Sequence, residues 1–108
     1  MMRIFATALF TLMPVLAIAA DLPQFTLTIQ NHRFSPTEVT IPANTKVKLI
    51  VINKDATPEE FESHELNREK VVAGGASIEV YVGPLKAGRY PFFGDFNQAT
   101  AQGVLIAR

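Results

Sequence analysis

The chain has 108 residues, with ten Lys and Arg balanced by ten Asp and Glu. Zero net charge gives no whole-molecule attraction to nucleic acid or to an anionic membrane. There is no Cys, so neither a disulfide nor a thiolate ligand is available, and the length suits one domain.

Arg3 and the apolar run Ile4 to Ala20, closing on Ala17-Ile18-Ala19, have the layout of a secretory signal peptide. Pro14 breaks a run already at the short edge for spanning a bilayer, which counts against a retained anchor. The expected division is a signal peptide over 1–20 and a single domain over 21–108. Removing Arg3 leaves nine bases against ten acids, a formal charge of −1. All three Met residues fall in the leader, so none is left as a ligand.

Beyond Asp21 the pattern is period two. Phe25, Leu27 and Ile29 alternate with Thr26, Thr28 and Gln30. A short strand over Val39 to Ile41 stops at Pro42. Val47, Leu49 and Val51 alternate with Lys46 and Lys48, and Ile78, Val80 and Val82 with Ser77, Glu79 and Tyr81. Each run predicts a strand with one buried face. Arg89 to Phe93 and Gly103 to Ala107 complete the set. Turn signals lie between them at Pro36, Pro42-Ala-Asn44, Asn53-Lys-Asp55, Gly74-Gly75, Gly83-Pro84 and Gly88. Phe61 to Val72 reads as strand, as a single helical turn, or as both in succession, with Arg68 to Val72 better read as extended. Seven or eight short strands at this spacing predict an all-β, antiparallel sandwich.

Several segments resemble the cupredoxin pattern of blue-copper proteins. Phe34-Ser-Pro-Thr-Glu-Val-Thr-Ile-Pro-Ala43 is similar to the opening F-x-P-x-x-(I/V)-x-V of bacterial cupredoxins. Val47 to Asp55 resembles the strand ending in N-x-D. Gly88, Tyr90, Phe92 and Gly103 match the closing G-x-Y-x-F-x-C-x-x-H and M-x-G frame. In that register Glu59, Gly94, Asn97 and Ala101 stand where the four type 1 copper ligands usually stand. The resemblance implies a Greek-key cupredoxin-like β-sandwich from which the blue site is absent.

Two stretches are similar to the EfeO-type cupredoxin-like domains of bacterial iron uptake. One is Glu60-Phe-Glu-Ser followed by Leu66-Asn-Arg-Glu-Lys-Val-Val72. The other is Gly83-Pro-Leu with Gly88-Arg-Tyr-Pro-Phe-Phe-Gly-Asp-Phe96 and Ala101-Gln-Gly103. That resemblance implies a periplasmic location, a copper or iron ion, and as partners a periplasmic iron-binding protein and a membrane iron permease. Its members often read G-D-F-H-P, whereas this chain has Asn97-Gln98.

Glu59, Glu60, Glu62, Glu65 and Glu69 concentrate half of the acids in eleven residues. An extended Glu60-Phe61-Glu62 puts both carboxylates on one face, about 7 Å apart, with Phe61 inward. Such a pair binds a cation, with Fe, Mn or Ca suited to oxygen donors. It also fits a solvated acidic edge neutralised by Arg68, Lys70 and Arg89. Glu59, sharing the parity of Phe61, needs a buried partner: a metal, an Arg, or Asn97 across the loop. Asp95 either completes an oxygen-rich site with these residues or caps a turn. His64, beside the acidic segment, is a further candidate ligand or an exposed turn residue; His32 reads as exposed. No Ser/His/Asp or Cys/His grouping, phosphate loop or basic stripe is present, so no catalytic residue is assigned. Two functions stay open: a carboxylate cation site assisting ferrous iron uptake, with Fe(II) oxidation as one form of that assistance, or a metal-free docking module for the same transport partners.

Overall fold

The computed structural model describes residues 4, 6–9, 11, 12 and 21–108. The signal segment expected over 1–20 lies for the most part outside the described residues. No helix among the described residues is long and apolar enough to cross a membrane.

Among the described residues nine strands follow in chain order: β1 (Gln24–Gln30), β2 (Arg33–Ser35), β3 (Glu38–Ile41), β4 (Val47–Asn53), β5 (Glu59–Ser63), β6 (Arg68–Val72), β7 (Ser77–Val82), β8 (Gly88–Gly94) and β9 (Gln102–Ala107). They form two sheets. One has the order β2-β1-β4-β7, the other β3-β9-β8-β5-β6. Phe61 to Val72 is resolved as a hairpin, with β5 pairing β6 from Glu59↔Val72 to Ser63↔Arg68.

The turn spacing predicts a wholly antiparallel sandwich, and the structure corrects this. β1 pairs β4 in parallel, and so does β3 with β9. The chain leaves β2, crosses to the other sheet as β3, and returns as β4 beside β1. Period-two alternation carries no information about this, because it reports which face is buried and not the direction of the neighbour.

β2 was not predicted. Asn31 and His32 both adopt left-handed φ, 54° and 56°, and turn β1 directly into β2. This matches the two-residue primed hairpin, whose twist suits the flanking strands. The Asp55 carboxylate accepts the N–H groups of Asn31 at 2.8 Å and His32 at 3.0 Å, holding the turn from outside. The bond from His32 is the largest cause of a pKa below the usual Asp range, and the bond from Asn31 adds to it.

The core lies between the sheets, filled by the inward parity of each strand. Phe34, Phe61 and Phe92 meet at its centre. The Phe34 ring stands edge-on to Phe92 at 5.0 Å and to Phe61 at 6.3 Å. Gly103 makes room for this cluster, since a Cβ there would lie 2.3 Å from the Phe92 ring. At the same end a 3-10 turn over Asp95–Asn97 joins β8 to the loop before β9.

Candidate metal centre

β5 has a strict alternation: Glu59, Phe61 and Ser63 are buried, while Glu60 and Glu62 are half-buried on the outer face. Burying the Phe61 ring fixes the parity, so both outer carboxylates follow from one aromatic anchor. The neighbouring strand β8 pairs Phe61 with Gly94 and Glu62 with Phe93. The chain then enters the 3-10 turn, which places Asp95 beside the same outer face. Glu60, Glu62 and Asp95 each offer a carboxylate oxygen within 4.8 Å of the others.

Glu69 lies directly opposite Glu62 on β6. Its charge, with those of Asp95 and Glu62, bears on Glu60. Desolvation is the largest cause, followed by Glu69, and together with the remaining carboxylates they push the Glu60 carboxyl up to about 7. The sequence places Glu69 in the acidic segment, and the hairpin register, which the sequence leaves open, brings it beside the site.

The bases expected to neutralise this face are engaged elsewhere. Arg68 and Lys70 share the parity of Ser63 and Phe61, the inner side of the sheet. From there they reach the other sheet. Arg68 Nε donates to the Tyr81 carbonyl at 2.8 Å and Lys70 Nζ to the Glu79 carbonyl at 3.1 Å. Arg89 pairs with Glu38 at 3.7 Å. Among the described residues no Lys, Arg or His forms an ion pair with Glu60, Glu62, Glu69 or Asp95.

Glu59 stands apart from the outer group. Its side chain is 1% exposed. Oε1 accepts the N–H groups of Glu60 and Phe96, each at 2.9 Å, and Oε2 accepts Asn97 Nδ2 at 2.7 Å. Of the partners open to it in the sequence, Asn97 across the loop is the one in place. Three donors and no acceptor face the group, the set an acceptor-only carboxylate takes. His64 is not one of the three converging groups. It lines a recess with Glu62, Asn67, Arg68 and Glu69, and its ring lies 5.4 Å from Phe93. Asp95 additionally accepts Gln98 Nε2 at 2.7 Å.

The four positions that the resemblance assigns to type 1 copper ligands do converge. A Cβ built on Gly94 would lie 2.6 Å from Glu59 Cδ and 2.7 Å from Ala101 Cβ. The residues present do not fit a blue-copper ion. With no Cys the thiolate is missing, and the Glu59 carboxylate fills the space between the four positions. A neutral pH change removing the Glu60 charge has a calculable sign. Glu60 ionises near 4.5 when unfolded and at about 7 when folded, so its charge opposes folding increasingly as pH rises between those values. In the presence of a chelator, Glu60→Gln is expected to raise the melting temperature by a few degrees at about pH 8 and to leave it unchanged at about pH 4.

The comparisons with known proteins agree with this architecture. The description Cupredoxin-like domain matches residues 2–107. The chain is 52% identical over 80 residues to the uncharacterized protein RP394 of Rickettsia prowazekii, covering 74% of this chain and 64% of that relative's length. Among solved structures, auracyanin A, a blue copper protein of Chloroflexus aurantiacus, superposes with a TM-score of 0.68 at 16% identity, over 79% of this chain and 98% of its own. Amicyanin of Paracoccus versutus gives 0.62 at 17% identity, over 85% and 86%. The metal-binding domain of the Streptococcus pneumoniae Cu(I)-exporting ATPase CopA gives 0.67 at 9% identity, over 79% and 84%. Likeness at these identities speaks for the fold, and the match over nearly the whole length speaks for the family: the chain belongs to the family of cupredoxin-like domains.

Proposed function

We propose that this is an exported, periplasmic cupredoxin-like domain that holds one copper or iron ion through Glu60, Glu62 and Asp95 and assists ferrous iron uptake. The observation that carries the reading is the convergence of three carboxylate oxygens within 4.8 Å on a face that no base neutralises among the described residues. Packing like charges so closely costs free energy, and a cation would recover it. An all-oxygen donor set suits hard ions and favours Fe(III) and Cu(II) over their reduced forms. That preference holds the oxidised ion and resists cycling, so Fe(II) oxidation ahead of transport would need an external oxidant such as dioxygen to take the electron. The similarity of Glu60-Phe-Glu-Ser and Gly88 to Phe96 to EfeO-type domains supports a periplasmic iron-binding protein and a membrane iron permease as partners.

A second reading has its own observation. Val71, directly opposite Glu60, is 51% exposed and Phe96, next to Asp95, is 50% exposed. Apolar groups bordering an acidic face suit the docking of a basic transport partner without metal.

Anaerobic calorimetric titration of Asp21 to Arg108 with Fe(II), and separately with Cu(II), tests the reading. One-to-one binding that vanishes in the Glu60→Gln/Glu62→Gln double variant, with the fold intact, is the expected result. A folded, unaltered domain that binds neither ion would leave the docking reading in its place.

A further inference from the structure

The proposed cation site joins two segments that are distant in sequence, Glu60 and Glu62 on β5 and Asp95 after β8. Three carboxylates can share one ion only if the distance between the segments is fixed. The β5–β8 ladder registers Phe61 with Gly94 and Glu62 with Phe93, and Asp95 lies past its end in the 3-10 turn. What ties the two segments there is Glu59. A single oxygen, Oε1, accepts the N–H of Glu60, a site residue, and the N–H of Phe96, which follows the site residue Asp95. The other oxygen holds Asn97, the last residue of the same turn, at 2.7 Å. The carboxylate is enclosed by Gly94 and Ala101 and points to the core side of the sheet, opposite to the outer carboxylates.

We infer that Glu59 is the positioning residue of the cation site: a buried carboxylate that clamps the Asp95 turn onto β5 and sets the separation of Glu60 and Asp95 on the outer face. The inference rests on the reading of Glu60, Glu62 and Asp95 as that site. Glu59 does not touch the cation; it acts through the two backbone amides. The clamp needs an acceptor at Oε1 and not a charge as such. Gln keeps that acceptor, and the Asn97 amide can rotate to offer its carbonyl to the new NH2 group.

The test compares Glu59→Gln with Glu59→Met, which keeps the volume and removes both acceptors. Fe(II) affinity is read by anaerobic calorimetry, and the titration midpoint of the Glu60 carboxyl by carbon NMR without metal. Glu59→Gln is expected to stay within about threefold of the unaltered chain, and Glu59→Met to bind at least about tenfold more weakly. In Glu59→Met the Glu60 midpoint is expected to fall below about 7 by the share that the Asp95 charge supplies, while desolvation, Glu69 and Glu62 still hold it above the ordinary value. A folded Glu59→Met chain with both readouts unchanged would overturn the inference. If the unaltered chain binds no Fe(II), the cation reading fails alone, and the midpoint still judges the clamp. If Glu59→Met does not fold, amide exchange in the unaltered chain decides. The amide of Phe96, a residue half-exposed as a whole, is expected to be protected by at least about a hundredfold, and exchange at the unprotected rate would overturn the clamp.

Discussion

Replacing Glu59 by Ala is expected to lower the melting temperature by about 15 °C, the largest single-residue effect outside the aromatic cluster. The truncation orphans three N–H donors at once, those of Glu60, Phe96 and the Asn97 side chain. It also opens a void between Gly94 and Ala101, where the carboxylate now fills the space. Unsatisfied donors cost about 1–3 kcal/mol each, and water entering from the turn offsets part of that, leaving about 3 kcal/mol. For a domain of this size about 3 kcal/mol corresponds to the stated shift. Glu59→Gln, which keeps the acceptor for both backbone amides, is expected to lose only a few degrees. Thermal melts of the two variants check this; an Ala variant melting with the unaltered chain would mean the carboxylate does not hold the turn.

The second large effect is the pH dependence of cation binding. A proton and a cation compete for the same oxygens, so affinity falls wherever the free site is protonated. The Glu60 carboxyl, raised to about 7 by desolvation and by Glu69, Glu62 and Asp95, places that competition near neutrality. Between about pH 5.5 and about pH 8, Fe(II) affinity is expected to rise about thirtyfold, levelling off above the Glu60 midpoint. A site of ordinary carboxylates would be flat over this range. A His ligand would also titrate here, so the profile is to be repeated in His64→Gln, where it is expected to be unchanged. An anaerobic titration series gives both curves, and a flat profile in the unaltered chain would contradict a site containing Glu60.

The strands were legible where one face is apolar and the other polar, as in Leu27, Ile29, Val47, Leu49 and Val51. β2 was hidden because Arg33-Phe-Ser35 shows a single inward residue, and Asn31-His32 is a weaker hairpin signal than Asn-Gly. The parallel pairings of β1 with β4 and β3 with β9 were hidden because side-chain alternation says nothing of strand direction. The shared face of Glu60 and Glu62 was readable from the parity of Phe61. The arrival of Asp95 beside them depended on the closing loop, and its position came from the resemblance to cupredoxins and not from any local pattern. Arg68 and Lys70 show the limit of reasoning by proximity. Close to the acids in sequence, they have the opposite parity, and bridge to the carbonyls of Tyr81 and Glu79 across the sandwich. The parity of a strand residue decided what its charge could neutralise.

That decision is also why the outer face is left acidic, and the location of a bound ion tests it most directly. Substoichiometric Cu(II) broadens the amide NMR signals nearest to it. Titrated into the nitrogen-labelled domain Asp21 to Arg108, it is expected to erase the signals of Glu60, Glu62 and Asp95 first, while those of His32, Asp55 and Arg89 persist. Broadening centred on His32 or His64, or spread evenly over the surface, would contradict a carboxylate metal centre on this face.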